Sequence, residues 1–132
     1  MSPEVLSNKL AALSGYLSDL RRFKDVSFDA FMERHYEIER ILELLIMTAS
    51  DIVFHQLSSA GEPPSVSYRA AFLRAGELGI ISPELSGKLA LSAGMRNILA
   101  HEYEDIDYRI VHACIPAAAG DFAALIEELS RA

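Results

Sequence analysis

A seven-residue apolar repeat, Phe31, Ile38, Leu45 and Ile52, constrains this chain more than any other feature. Leu42 and Ala49 fill the alternate seam, and such a stripe is buried only when another helix lies along it. Ile41, Ile46 and Val53 widen the face, so the segment calls for more than one neighbour. Strand-type alternation is absent, and the remaining segments also repeat with helical spacing.

Turn signals divide the chain into five expected helices. Ser2-Pro3 opens the first, with Leu6, Leu10, Leu13, Leu17 and Leu20 on one stripe, and it ends between Arg22 and Asp25. Ser27 caps the second, which carries the seven-residue repeat, and Ser58 to Pro64 forms the main loop. A short third helix spans Ser67 to Leu78 and stops at Gly79. Ser82-Pro83-Glu84 starts the fourth, while Asp107 caps a fifth whose stripe runs Val111, Ile115, Ala118, Phe122, Leu125 and Leu129. Pro116 should kink that last helix, with Gly120 a second weak point. The expectation is an all-α fold, an antiparallel helical bundle occupying residues 1–132 as one domain.

With 51% hydrophobic residues in 132, the chain can bury a core without staples. The lone Cys114 excludes an internal disulfide, favours a reducing cytoplasm and reads as a small core hydrophobe. No basic, apolar leader opens the sequence, and the longest apolar run, Ile41 to Ala49, is interrupted by Glu43 and falls short of the ~20 residues a bilayer needs. No membrane association is therefore expected. A net charge of −7 repels nucleic acid globally, so any nucleic-acid site must be local.

One stretch carries chemistry: Met95-Arg96-Asn97-Ile98-Leu99-Ala100-His101-Glu102-Tyr103, at the end of the fourth helix. Arginine clamps phosphate oxygens with a planar fork, and histidine exchanges protons near neutral pH. Gly87, Ala90, Gly94, Asn97 and His101 share one nearly bare face, the geometry of a docking groove with two polar groups at its mouth. Arg96 lies on the other stripe with Leu85, Leu89, Ser92 and Leu99, where a charge needs a partner or a cleft. Arg96 and His101 diverge by about 140° around a helix, which favours a site pooled from two protomers. Taken singly, each residue has a plainer reading. His101 can cap the last carbonyls, Arg96 can pair with Glu102, Glu104 or Asp105, and Tyr103 can pack with a wet hydroxyl.

The string Arg96 to Tyr103 resembles the R-x4-H-x-Y signature of HepT-like toxins, a branch of the HEPN superfamily of small all-helical ribonuclease domains. Leu20 to Phe28, Pro64 to Arg69 and Gly79 to Leu85 resemble family segments in the same order, so the resemblance covers about residues 4 to 130. It implies a metal-independent endoribonuclease without a cofactor, working as a homodimer on RNA. Arg96 and His101 would be the catalytic pair and Asn97 the supporting polar neighbour. It also implies a minimal nucleotidyltransferase antitoxin that neutralises the toxin by adding AMP to the motif tyrosine, here Tyr103.

Two other readings compete. The acidic charge fits a non-catalytic helical module that docks a nucleotidyltransferase or a nucleotide. His35 with Glu39 and Asp51 with His55 have ligand-compatible i, i+4 spacing, but the Glu-x-x-His repeats of diiron bundles are missing, so these read as helix-supporting pairs. His112 borders the apolar stripe of the last helix and reads as structural.

Overall fold

The computed structural model describes residues 2–101 and 105–131, and for residues 100 and 101 the backbone alone. Among the described residues there are six helices and no strand: α1 (Pro3–Arg21), α2 (Phe28–Glu33), α3 (His35–Ser59), α4 (Tyr68–Glu77), α5 (Pro83–His101) and α6 (Tyr108–Ser130). The all-α expectation holds, but the count of five does not. What reads as one long second helix is broken at Arg34, whose backbone (φ −130°, ψ 22°) is not helical. No glycine or proline marks the break. Arg34 leaves the helical path while its guanidinium meets Glu37 at 2.7 Å and lies 4.8 Å from the centre of the Phe23 ring. The apolar repeat survives the interruption, since Phe31, Ile38, Leu45 and Ile52 are all fully buried.

The helix starts fall where expected, although Ser67, expected as the first helical residue, is a cap. Ser2, Ser27, Ser67 and Asp107 each accept a backbone N–H of the first turn, answering donors that the helix itself leaves unpaired. Two glycines end helices in the left-handed conformation. Gly61 (φ +80°) and Gly79 (φ +75°) follow α3 and α4, and in each case the next residue's N–H reaches back to the carbonyl of Leu57 or Ala75 at 3.0 Å. A side chain at either position would be strained whatever the space around it.

Helix α3 lies at the centre and packs against all five of the others. Its buried residues join Leu13, Leu17 and Leu20 of α1, Phe72 of α4, Leu89 of α5 and Ile115, Phe122 and Leu125 of α6 in one continuous hydrophobic cluster. Each fully buried Leu, Ile or Phe contributes roughly 1.5–3 kcal/mol. Helices α3 and α6 are long and apolar enough, by length and composition, to cross a bilayer, with mean hydropathies of 1.3 and 1.4. Counting only uninterrupted runs missed this. Their apolar faces are the ones turned into the cluster, which accounts for the hydropathy. Helix α6 remains helical through Pro116 to Ser130.

Two contacts fix α5, the helix that carries the motif. The Ser82 N–H and hydroxyl donate to the Glu128 carboxylate at 2.6 and 2.9 Å, joining the start of α5 to the end of α6. Ser86, buried on α5, donates to the Phe72 carbonyl of α4 at 2.8 Å, directly over Gly76. A Cβ on Gly76 would collide with the Ser86 side chain. Gly76→Ala should therefore destabilise the protein by about 1–3 kcal/mol, read as a lowered urea midpoint with an unchanged m-value.

Candidate functional site

Helix α5 stays regular through His101, so the divergence of Arg96 and His101 expected from helical geometry is retained along the described backbone. The His101 side chain and all of Tyr103 lie outside the described residues, as do Glu102 and Glu104. Arg96 and Asn97 are described, and they face different surroundings.

Arg96 is half-buried on the stripe of Leu85, Leu89 and Leu99, which are core residues. Its Nε is buried and has no hydrogen-bond partner, and among the described residues no ion pair joins it to a carboxylate, Asp105 included. Its partner is a ring. The guanidinium carbon stands 5.5 Å from the centre of Tyr68, the first residue of α4, in cation–π contact. Among the described residues, then, the contact of this charge is a ring and not a carboxylate. The sequence reading missed Tyr68 as a site residue; the Pro64 to Arg69 segment contained it, but no pattern along the chain pairs residues 68 and 96.

Asn97 is exposed and lines a cavity of about 550 Å3 between α5 and the α3–α4 connection. Ala90, Ala93 and Gly94 form the α5 side, and Phe54 and Tyr68, 5.6 Å apart between ring centres, form an aromatic wall. The expected groove is therefore present over Ala90, Gly94 and Asn97. Gly87 is exposed but does not line it. The connection forming the other side is tied to α4: Arg74 donates to Glu62 and, at 2.8 Å, to Glu77, and this guanidinium holds the Glu62 carboxyl below the usual carboxylate range.

The other singled-out side chains form local contacts. His112 Nε2 lies 2.6 Å from the Val26 carbonyl, with its ring against Phe28 and Phe31, which is a structural role. His35 Nδ1 is 3.1 Å from Glu39, and His55 Nε2 is 3.5 Å from Asp51, which also pairs with Lys9. Among the described residues no three His, Cys, Asp or Glu side chains gather as a metal site. Cys114 is half-buried, not a full core residue, in a groove of about 720 Å3 between α5 and α6, and burial pushes its thiol up.

Solved structures of toxin–antitoxin proteins share this fold. A tri-AMPylated HEPN toxin of Shewanella oneidensis, in complex with its MNT antitoxin, superposes with a TM-score of 0.88 over 100% of both chains at 22% identity. A toxin–antitoxin structure with AMP-PNP gives a TM-score of 0.86 over 100% of both chains, also at 22% identity. At that identity the likeness establishes the fold. Sequence comparison goes further: a family model described as "Ribonuclease HepT-like" matches residues 13–129. A protein named tRNA nuclease HepT, from Aphanizomenon flos-aquae, is 32% identical over 98% of this chain and 90% of its own length. The chain belongs to the HepT-like ribonuclease family.

The contact between Arg96 and Tyr68 can be measured alone. A double-mutant cycle of Tyr68→Leu and Arg96→Leu, followed by urea denaturation, should give a coupling of about 0.5–1 kcal/mol. Additive effects would mean that the ring does not hold the guanidinium.

Proposed function

We propose that this protein is a toxin of a toxin–antitoxin pair that cleaves RNA as a homodimer, at a cleft where Arg96 and His101 of two protomers meet. The observation that carries this reading is the Arg96 guanidinium, held against Tyr68 with, among the described residues, a buried Nε unpartnered and no carboxylate in an ion pair with it. In a chain of net charge −7, such a cation is a local seat for a phosphate that the global field would otherwise repel. Family membership and the relative named as a tRNA nuclease point the same way and make tRNA the first substrate class to try.

His101 takes the proton of a ribose 2′-hydroxyl as its oxygen attacks the neighbouring phosphorus, and the 5′-oxygen of the next nucleotide leaves with a proton from an acid. Across a symmetric cleft, the second His101 supplies that acid. Arg96 stabilises the charge that develops on the phosphoryl oxygens, and Asn97 adds a neutral donor beside it. DNA lacks the 2′-hydroxyl nucleophile and is not cut. No metal or cofactor has a part in these steps, and the protein acts in the cytoplasm.

The partner is a minimal nucleotidyltransferase, in keeping with the MNT antitoxin of the similar Shewanella complex. It adds AMP to Tyr103, two residues from His101, and the bulk and negative phosphate exclude RNA from the cleft.

Arg96→Ala and His101→Ala should each lower RNA cleavage by the purified dimer by about 100-fold or more. Cleavage that survives both changes would identify a contaminating nuclease and leave the acidic chain as a binding module. Incubation with the partner enzyme and ATP should add one or more AMP masses to the parent protein. Tyr103→Phe should abolish that gain; AMP found on another residue would overturn the assignment.

A further inference from the structure

The cavity beside Asn97 has no role in the chemistry above, yet its lining differs from the rest of the surface. The groove between α5 and α6 carries Glu84, Asp121 and Glu128, whereas among the described residues the cavity of about 550 Å3 at Asn97 is lined by no carboxylate and by one arginine, Arg69. In a chain with seven excess acids, this is a place that an anionic chain can enter.

We propose that this cavity receives one base of the RNA strand next to the phosphate held by Arg96, an inference that rests on the ribonuclease reading. Its two walls suit a flat heterocycle. The rings of Phe54 and Tyr68 both line it, and base–aromatic stacking is the sequence-tolerant way to hold an unpaired base. On the α5 side Leu91 stands at the edge, while Ala90, Ala93 and Gly94 extend no further than a methyl group, and nothing stands within 4 Å of where a Gly94 side chain would begin. A planar ligand can therefore lie against the helix backbone.

Polar groups stand at the rim. Asn97 and Ser65 make no side-chain hydrogen bond among the described residues, so their donors and acceptors are free for a base edge. Exposed Arg69 stands on the same rim, without an ion pair among the described residues, ready for a backbone phosphate. The placement matches the chemistry. Tyr68 is at once a wall of the cavity and the ring that holds Arg96, and Asn97 precedes His101 by one helical turn, about 6 Å along the axis. A base seated here leaves its own phosphate within reach of the motif, and the cavity reads the nucleotide at the cut.

The test uses the His101→Ala dimer, which keeps RNA intact, with short fluorescent single-stranded RNAs that carry one abasic ribose at each position in turn. One abasic position should weaken binding about tenfold, the worth of one stacked base. Adding Gly94→Leu, which fills the cavity from an unobstructed position, should cost the same factor with intact RNA and erase the effect of that abasic site. Val66→Glu, at a residue 95% exposed on the opposite wall, should also weaken binding and guards against a disturbed α5. Sedimentation and thermal melting confirm that the variants remain folded dimers.

Equal binding by the parent and Gly94→Leu proteins, an abasic penalty that persists in Gly94→Leu, or no RNA binding at all would overturn the proposal. So would a free mononucleotide binding as tightly as RNA, or a Gly94→Leu defect confined to capture of the nucleotidyltransferase. Failure of the nuclease reading looks different: the protein with His101 intact would cut nothing while cavity-dependent RNA binding persisted.

Discussion

Everything in this fold depends on the burial of α3. A helix apolar on several sides is stable only where neighbours cover each side, and α3 touches all five other helices. The surrounding helices are fixed by what they cover. Helix α5, which α3 meets on one side, is left with Leu85, Leu89, Ala90, Ala93 and Leu99 in the core and Gly87, Gly94 and Asn97 outside, and the motif inherits that division. Arg96 continues the core stripe and Asn97 continues the open one.

That division explains the electrostatics of the site. A guanidinium on a core stripe is partly desolvated, and a carboxylate partner would fix it but cancel its charge. Among the described residues a tyrosine ring, which does not cancel the charge, is what it meets. The orphaned Nε is the trace of this compromise.

Much of the fold was legible because it is written in local chemistry. Ser2, Ser27 and Asp107 start the helices as expected, Gly61 and Gly79 end them, and the apolar stripes are the buried ones. The break at Arg34 was not legible, because residues with ordinary helix propensity occupy it and its supports are tertiary: Glu37 one turn on and Phe23 on another segment. At the site, the sequence identified Arg96, Asn97, His101 and Tyr103 by type and spacing. It could not identify Tyr68, because a cation–π pair between two helices has no spacing of its own. For Arg96 and Asn97 the structure gives surroundings, while the His101 side chain and Tyr103 lie outside the described residues.

Helix α4 has a consequence beyond packing. One end is pinned where Gly76 meets Ser86, and the other end presents Tyr68 to Arg96, so its ten residues act as a gauge block between two fixed marks on α5. Inserting or deleting one residue between the marks would rotate Tyr68 by about 100° relative to Gly76. The buried Ala71, Phe72 or Ala75 would be turned out of register by such a change, and the ring would no longer face the guanidinium. The length of α4, more than its composition, is what this family member cannot vary without releasing its arginine.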